Sequence, residues 1–185
     1  MKRIVISLCT LLALPASAAE FNTVQLDKSS IVFVSKQMGV PVDGAFKKFS
    51  ALLAFDPAKP EAGRAQIEIE LASIDAGSTE ANDEVKGKGW FNTREFPTAK
   101  FVSISVKPLG GARYEAQGRM TIKGRTRDVV VPFAYKLEGA NAILEGAIPV
   151  LRTQFSIGEG VWSDTSTVAD EVQVKFRFTA AAARK

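Results

Sequence analysis

The chain has 185 residues, of which 24 are lysine or arginine, 20 are aspartate or glutamate, and none is histidine. This length suits one ordinary domain, and the interspersed charges indicate a solvated surface rather than the basic patch or stripe of a nucleic-acid-binding protein. Because Cys9 is the single cysteine and histidine is absent, the sequence excludes a Ser–His–Asp triad, a Cys–His pair and a zinc site of the usual kind.

The first eighteen residues have the pattern of a secretory signal peptide. A basic start, Met1-Lys2-Arg3, precedes an apolar run at 4–14, and the small residues Ala16-Ser17-Ala18 follow. The apolar run is shorter than the roughly 20 residues that a transmembrane helix needs, so we expect no membrane-spanning segment here. We expect residues 1–18 to be cleaved off and residues 19–185 to form one domain without cysteine, with 24 − 2 = 22 basic and 20 acidic side chains.

Eight segments of the remaining chain alternate apolar and polar residues, as a strand with one buried face does. In chain order the predicted strands are 30–37, 44–56, 65–74, 98–106, 114–122, 127–136, 142–150 and 171–178. The second should contain a bulge near Lys47-Lys48, because Phe46 and Phe49 would otherwise face opposite sides. Between the fifth and sixth, Lys123-Gly124-Arg125 predicts a tight hairpin turn.

The alternation is lost between the third and fourth predicted strands. Ser78, Thr79 and Glu80 precede a short segment that suits a helix over residues 81–85, and Gly87 is a typical helix end. We therefore predict one short helix in the loop near residues 79–87. The aromatic pair Trp90-Phe91 follows it and leads into the strand after Pro97, as expected for a loop at the rim of a β-barrel.

The evenly spaced strands predict an all-β fold, either a sandwich or a closed antiparallel barrel. We favour an eight-stranded antiparallel barrel, because eight strands enclose either a filled core or room for one ligand. A small outer-membrane barrel shows the same alternation. The close succession of Glu, Gln, Lys and Arg on one strand face, with only two Trp and two Tyr for aromatic girdles, favours the water-soluble form.

The remaining chemistry points to binding rather than catalysis. Carboxylates alone suit Mg, Ca or Mn, but Asp164, Asp170 and Glu171 lack calcium-loop spacing, and no carboxylate pair stands out for glycoside hydrolysis. Twelve phenylalanines are more than a merely filled barrel of this size needs, which favours a cavity for a long apolar molecule. A packed barrel with a structural or stress role, and a histidine-free hydrolase, remain as alternatives.

Several stretches in chain order resemble the YceI-like family of secreted lipid-binding proteins, and together they run from about Phe21 to Phe178. They are Leu26-Asp27 with Ser30-Ile31-Val32-Phe33; Gly44-Ala45-Phe46 with Phe49 and Phe55-Asp56-Pro57; Ser73-Ile74-Asp75; Trp90-Phe91-Asn92 with Glu95-Phe96-Pro97-Thr98-Ala99-Lys100-Phe101; Gly118-Arg119-Met120-Thr121-Ile122-Lys123-Gly124; and Ile157-Gly158-Glu159-Gly160-Val161-Trp162-Ser163-Asp164-Thr165-Ser166.

The resemblance implies a lipocalin-like barrel in the bacterial periplasm, often dimeric. It also implies a long polyisoprenoid or isoprenoid-quinone-like ligand threaded through the interior. Two positions depart from the family pattern near the expected rim. Gln37 stands where the family often has histidine, and Asn82-Asp83 stands where it often has Arg-Asp. The resemblance therefore implies the apolar tail of the ligand and leaves its head group open.

Sixteen residues are predicted to bind this ligand, and no catalytic residue, metal or other cofactor is expected. The predicted tunnel lining is Phe33, Phe49, Leu53, Ile69, Leu71, Phe101, Met120 and Phe133. The predicted mouth is Trp90, Phe91, Phe155 and Trp162. The predicted head-group contacts are Ser35, Asn82, Arg152 and Asp164, each of which could instead make ordinary hydrogen bonds at a strand end or turn.

Overall fold

The computed structural model describes residues 20–183, so the predicted signal peptide at residues 1–18 lies outside the described residues. The described part contains eleven strands, one α-helix and five short 3₁₀ helices. The strands and the α-helix are β1 (Phe21–Val24), β2 (Ser30–Gln37), β3 (Val40–Phe46), β4 (Phe49–Ala54), β5 (Arg64–Glu70), β6 (Ile74–Asp75), α1 (Thr79–Lys86), β7 (Thr98–Gly110), β8 (Arg113–Ile122), β9 (Arg125–Glu138), β10 (Asn141–Leu151) and β11 (Glu171–Ala182). The 3₁₀ helices are Leu26–Lys28, Pro60–Ala62, Leu71–Ser73, Arg152–Phe155 and Gly160–Trp162.

These strands belong to one antiparallel sheet that curls around a common interior. The hydrogen-bonded order is β4-β5-β7-β8-β9-β10-β11-β2-β3-β6, and β1 pairs with the C-terminal part of β11. The backbone of Phe21 in β1 exchanges two hydrogen bonds, of 2.9 and 3.1 Å, with Phe55, which directly follows β4. The edge beside β4 therefore connects back to β11 through β1. The all-β, antiparallel, lipocalin-like fold predicted from the sequence is confirmed.

The described residues contain eleven strands rather than the predicted eight. One additional strand is β1, whose four residues were too few to show alternation. The other two arise because the predicted strands 44–56 and 65–74 are each divided in two, with breaks at Lys47-Lys48 and at Leu71–Ser73. A bulge was expected at Lys47-Lys48, and the structure has a complete break there instead.

The two breaks face each other and are held together by Ser73. Its hydroxyl accepts a hydrogen bond from the backbone N–H of Lys48 (3.0 Å) and donates one to the carbonyl of Glu70 (2.6 Å). Its carbonyl accepts from the N–H of Lys47 at 3.1 Å. Before the first break β3 pairs with β6, and after it β4 pairs with β5. The two breaks therefore let the same two chain segments pair with each other at two separate places in the curled sheet.

The predicted helix and the predicted hairpin are both confirmed. The helix α1 begins two residues earlier than predicted; the hydroxyl of Ser78 accepts from the N–H of Ala81 at 3.1 Å, and Gly87 ends the helix. The hairpin between β8 and β9 turns at Lys123 and Gly124, whose φ angles are 48° and 71°. Positive φ at both central positions is the geometry of the type I′ turn, which suits the twist of two antiparallel strands.

The apolar faces of the strands point inward and their charged faces point outward. In β5, Ile67 is buried, whereas Glu68 forms an ion pair of 2.8 Å with Lys100 on the neighbouring strand β7. The buried residues form two clusters, and Phe101 packs against both of them. The inward face thus provides an apolar interior, as the alternation predicted.

None of the helices in residues 20–183 has the length and apolar composition to cross a lipid bilayer.

Candidate functional site

The interior holds an apolar cavity of about 520 Å³, here called the outer cavity. Cavities of about 300–1,000 Å³ are the usual size for small-ligand sites. Its walls come from strands on all sides of the curled sheet, because each strand directs every second side chain inward. The apolar side chains on these strands that line it are Phe33, Val42, Phe46, Ile67, Ile69, Ile74, Ala99, Phe101, Met120, Ile122, Val150, Val172 and Val174.

The outer cavity reaches the surface at one end, here called the open end. Ala81 and Val85 of α1 line the cavity and are half-buried, so the helix lies across it. Glu80 and Glu84, on the same helix, and Gln37, at the end of β2, also line it but are exposed to solvent. Polar groups therefore surround the open end. Apart from Ser35, Lys100 and Arg152, the rest of the lining is apolar.

A second, smaller cavity of about 130 Å³, here called the inner cavity, lies on the other side of Phe101 and Met120. Its lining is almost wholly apolar and includes Leu53, Val131 and Phe133. Five residues line both cavities and therefore lie between them: Ile67, Ile69, Phe101, Met120 and Val174.

Two tryptophans lie beside the outer cavity next to α1. The rings of Trp90 and Trp162 are 5.7 Å apart and tilted by 55°. The indole N–H of Trp162 donates to the carboxylate of Glu84 at 2.6 Å, which ties the 3₁₀ helix Gly160–Trp162 to α1. The indole N–H of Trp90 is buried and has no acceptor among the described residues.

Arg152 is buried at the end of β10, with only 2% of its surface exposed. Its five N–H groups all donate to backbone carbonyls of the segment 157–169: Ala169 (3.1 Å), Ile157 (2.8 Å), Gly158 (3.0 Å), Trp162 (2.8 Å) and Val168 (2.7 Å). The guanidinium carbon also lies 5.8 Å from the centre of the Trp90 ring. Burial lowers the pKa of Arg152, and the nearby carboxylate of Asp170 opposes this shift.

Lys123, in the β8–β9 turn, joins the loop after α1 to the segment 156–159. Its ammonium group donates to the carbonyls of Lys88 (3.0 Å) and Ser156 (2.6 Å) and to the carboxylate of Glu159 (2.9 Å). This contact lowers the pKa of Glu159 below its ordinary value. Together, Arg152, Trp162 and Lys123 hold α1 and the segment 152–169 over the cavity.

The structure brings twelve of the sixteen predicted binding residues to the two cavities. Those lining the outer cavity are Phe33, Ser35, Ile69, Leu71, Trp90, Phe91, Phe101, Met120, Arg152 and Trp162. Leu53 and Phe133 line the inner cavity. Arg152 lines the outer cavity, but its N–H groups are already bound to carbonyls, so it offers no free donor to a head group.

The other four predicted residues line neither cavity. Phe49 packs against Phe178, with ring centres 6.0 Å apart, and Phe155 is buried in the core. The amide oxygen of Asn82 accepts from the N–H of Ala76 at 2.6 Å, and the carboxylate of Asp164 accepts from the N–H of Ser166 at 2.8 Å. Asn82 and Asp164 therefore stabilise local turns.

Several lining residues were missed by the sequence analysis. Ile67 has the same inward parity as Ile69, and Val172 and Val174 share one face of the last strand, so the alternation was sufficient to find them. Phe46 was missed because its direction depends on the break after it. Ile157 and Val168 belong to an irregular segment without periodicity, so no signal in the sequence located them.

In residues 20–183 no group of three or more His, Cys, Asp or Glu side chains is placed to hold a metal ion. What the cavities offer chemically is apolar surface, with hydrogen-bonding groups confined mainly to the open end. The fold and the cavity together define a small curled-sheet protein with an apolar internal cavity.

Residues 23–180 match the model of the YceI-like domain, and the chain therefore belongs to the YceI-like domain family. A UPF0312 protein of Pseudomonas savastanoi pv. phaseolicola is 32% identical over 98 residues, which are 53% of this chain and 51% of that protein. A UPF0312 protein of Azotobacter vinelandii is 28% identical over 137 residues, covering 71% of this chain and 69% of that protein. The chain thus spans about half the length of the first of these curated relatives.

Solved structures share the fold. BcnA of Burkholderia cenocepacia is 49% identical, with a TM-score of 0.84 over 85% of this chain and 99% of that chain. The YCEI protein of Campylobacter jejuni is 19% identical, with a TM-score of 0.70 over 78% of this chain and 86% of that chain. A polyisoprenoid binding domain from Saccharophagus degradans is 14% identical, with a TM-score of 0.67 over 90% of this chain and 99% of that chain. The last two likenesses concern the fold alone.

Proposed function

We propose that this protein binds and carries a long apolar lipid of the polyisoprenoid or isoprenoid-quinone class, and that it does so by burial rather than by catalysis. The observation that carries the proposal is the apolar outer cavity of about 520 Å³ inside the curled sheet. A packed barrel would have filled this space with side chains, because protein interiors are normally close-packed. The name of the Saccharophagus degradans domain supports the ligand class.

The binding energy would come from the tail of the lipid. Burial of apolar surface contributes about 0.8 kcal/mol per CH₂, so a twenty-carbon tail is nominally worth about 16 kcal/mol. The strongest observed non-covalent binding free energies are roughly 18–21 kcal/mol. The ordering of a flexible tail on binding also opposes much of the free energy gained by its burial. The length of the cavity, rather than the length of the tail, should therefore limit affinity.

The head group of the lipid would lie at the open end, where the polar lining is found. The hydroxyl of Ser35 makes only a long bond, of 3.4 Å, to the carbonyl of Val42, so it can turn to a ligand oxygen. Gln37 adds an exposed amide beside it. A hydroxyl or carbonyl head group matches these neutral donors and acceptors.

A periplasmic location and a homodimer are further parts of the proposal. The location is supported by the pattern of a signal peptide in residues 1–18. Mass measurement of the protein purified from the periplasmic fraction would check cleavage, and light scattering would check the dimer.

The central test is solvent extraction and mass spectrometry of the purified protein, carried out on two matched variants. Ile69 lines both cavities, whereas Ile104 is 59% exposed on the outer face of β7. Ile69→Asp places a charge where the tail would lie, which costs free energy unless the charge is paired. We expect at least tenfold less co-purifying lipid from Ile69→Asp and an unchanged amount from Ile104→Asp.

Circular dichroism would verify that both variants keep the sheet. Wild-type protein that yields no apolar molecule and takes up no isoprenoid when it is offered in excess would contradict the proposed function. So would a folded Ile69→Asp variant with full lipid content.

A further inference from the structure

The two cavities are separated by a thin layer of side chains rather than by backbone. Of the five residues that line both, Phe101 on β7 and Met120 on β8 are cross-strand partners. Both are half-buried, and Phe101 packs against both hydrophobic clusters. These two side chains therefore stand at the centre of the interior, where a tail that continued from the outer cavity would meet them.

The ring of Phe101 packs directly over Gly118 on the neighbouring strand β8. A Cβ atom added to Gly118 would lie 2.6 Å from this ring, and 2.5 Å from the carbonyl of Val102. The ring fills the space that a side chain at Gly118 would need, so it cannot move farther toward β8. Met120, in contrast, is unbranched and flexible, so it can move aside for a ligand.

The volumes of the two cavities set a length for the tail. If each carbon occupies about as much room as a water molecule in the liquid, about 30 Å³, then the outer cavity of 520 Å³ holds roughly 17 carbons. On the same basis, the inner cavity of 130 Å³ holds roughly four carbons, close to one isoprene unit.

We propose that the inner cavity is a separate subsite for the terminal isoprene unit of the ligand, and that Phe101 and Met120 form a partition that selects tail length. A tail of up to about fifteen carbons, which is three isoprene units, fits the outer cavity without disturbing the partition. A longer tail reaches the inner cavity only by displacing these side chains. This inference rests on the proposed function, because it concerns the same interior and the same class of ligand.

The test measures the affinity of the purified, lipid-stripped protein for all-trans prenyl alcohols of ten, fifteen, twenty, twenty-five and thirty carbons, by competition with a fluorescent apolar probe. For the wild type we expect about tenfold tighter binding for each isoprene unit up to about fifteen carbons, a fraction of the full burial value. Beyond that length the gain should fall to about threefold or less per unit.

Two matched substitutions distinguish the partition from the wall. Phe101→Leu opens the partition while keeping an apolar side chain, and it should shift the break in the length series upward by one or two isoprene units. Phe33→Leu is the control, because Phe33 also lies over a cross-strand glycine, Gly44, but lines only the outer cavity. It should change affinity at every length without moving the break.

The outcomes separate the inference from the proposed function. Prenyl alcohols that bind at no length would overturn both. Binding without a break in the wild-type series, or an unshifted break in a folded Phe101→Leu variant, would overturn the partition alone and leave the carrier function standing. The wild-type series does not depend on whether any variant folds.

Discussion

The side chain of Arg152 supplies the hydrogen bonds that strand pairing supplies elsewhere in the molecule. The segment 157–169 follows no strand ladder, so its carbonyls need other donors, and the guanidinium group supplies five N–H groups in one plane. From the sequence, Arg152 was predicted to contact the head group, with ordinary hydrogen bonding at a strand end or turn as the alternative. The residue types could not reveal that the hydrogen-bonding capacity of the guanidinium is taken up by its own chain.

Arg152→Met tests this role, because methionine is similarly long and apolar but has no N–H donor. The change leaves several buried carbonyls without a donor, and we expect it to lower the free energy of unfolding by about 3 kcal/mol or more. Arg152→Lys should recover only part of the loss, since an ammonium has three donors and lacks the planar shape of the guanidinium. Urea denaturation measures both.

Arg127→Met is the matched control for this experiment. Arg127 is exposed on β9, and one of its N–H groups donates to the carbonyl of the adjacent Thr126. Its replacement should change the free energy of unfolding by less than about 0.5 kcal/mol. Equal stability of Arg152→Met and the wild type would show that the carbonyls of 157–169 find other donors.

The helix α1 at the open end is attached less extensively than the strands. β10 and β11 pair over eleven consecutive positions, whereas the described side-chain hydrogen bond that ties α1 to the segment 160–162 is the one between Trp162 and Glu84. Elements with few contacts open locally at a lower free-energy cost than a continuous sheet does. The open end is therefore where a ligand would enter and leave.

Trp162→Phe should increase the rate of ligand release. Phenylalanine keeps an aromatic ring beside Trp90 but removes the N–H that donates to Glu84 at 2.6 Å. A hydrogen bond to a charged acceptor contributes about 1.5–3 kcal/mol, so release should become about tenfold faster. Stopped-flow transfer of a fluorescent isoprenoid analogue to excess acceptor vesicles would measure this rate.

Asp83→Asn serves as the control on the same helix, since the side chain of Asp83 is 74% exposed and forms an ion pair with Lys86 at 3.6 Å. It should leave the release rate unchanged. If Trp162→Phe and Asp83→Asn release ligand equally fast, the contact between α1 and Trp162 does not control exit.

Local periodicity predicted most of the strands and the helix, but it failed where contacts between distant segments determine where a strand ends. The alternation in 65–74 correctly placed Ile67 and Ile69 inward, and Ser78 and Gly87 correctly marked the ends of α1. The breaks at Lys47-Lys48 and Leu71–Ser73 depend on hydrogen bonds between segments far apart in the sequence, through Ser73. Neither segment shows the break by itself, so Phe46 was not assigned to the cavity.

The closure of the whole sheet is also set by long-range pairing. β1 lies beside the end of β11, at the other end of the described chain, and Phe21 also bonds to Phe55. Phe21 is 4% exposed and packs against Tyr135, with ring centres 6.1 Å apart. No local pattern could predict these partners. The consequence is that strands around the interior belong to one hydrogen-bonded unit.

This continuity predicts that the ligand stabilises the molecule as a whole. The walls of the outer cavity come from β2, β3, β5, β6, β7, β8, β10 and β11, so one bound tail would contact most of the sheet. A ligand that binds only the folded state adds about 2.7 kcal/mol at one hundred times its Kd. For a domain of this size, that corresponds to a Tm about 5–10 °C higher.

Calorimetry of the lipid-stripped protein with and without geranylgeraniol measures this shift, and far-UV circular dichroism follows the sheet in the same samples. We expect one cooperative transition in both, displaced as a unit, because a tail that touches strands all around the interior cannot stabilise one edge alone. Ile104→Asp should show the full shift and Ile69→Asp almost none, since only the second places a charge beside the tail. A ligand-dependent transition that splits from the main one would mean instead that the lipid binds outside the curled sheet, on a locally unfolding segment such as α1.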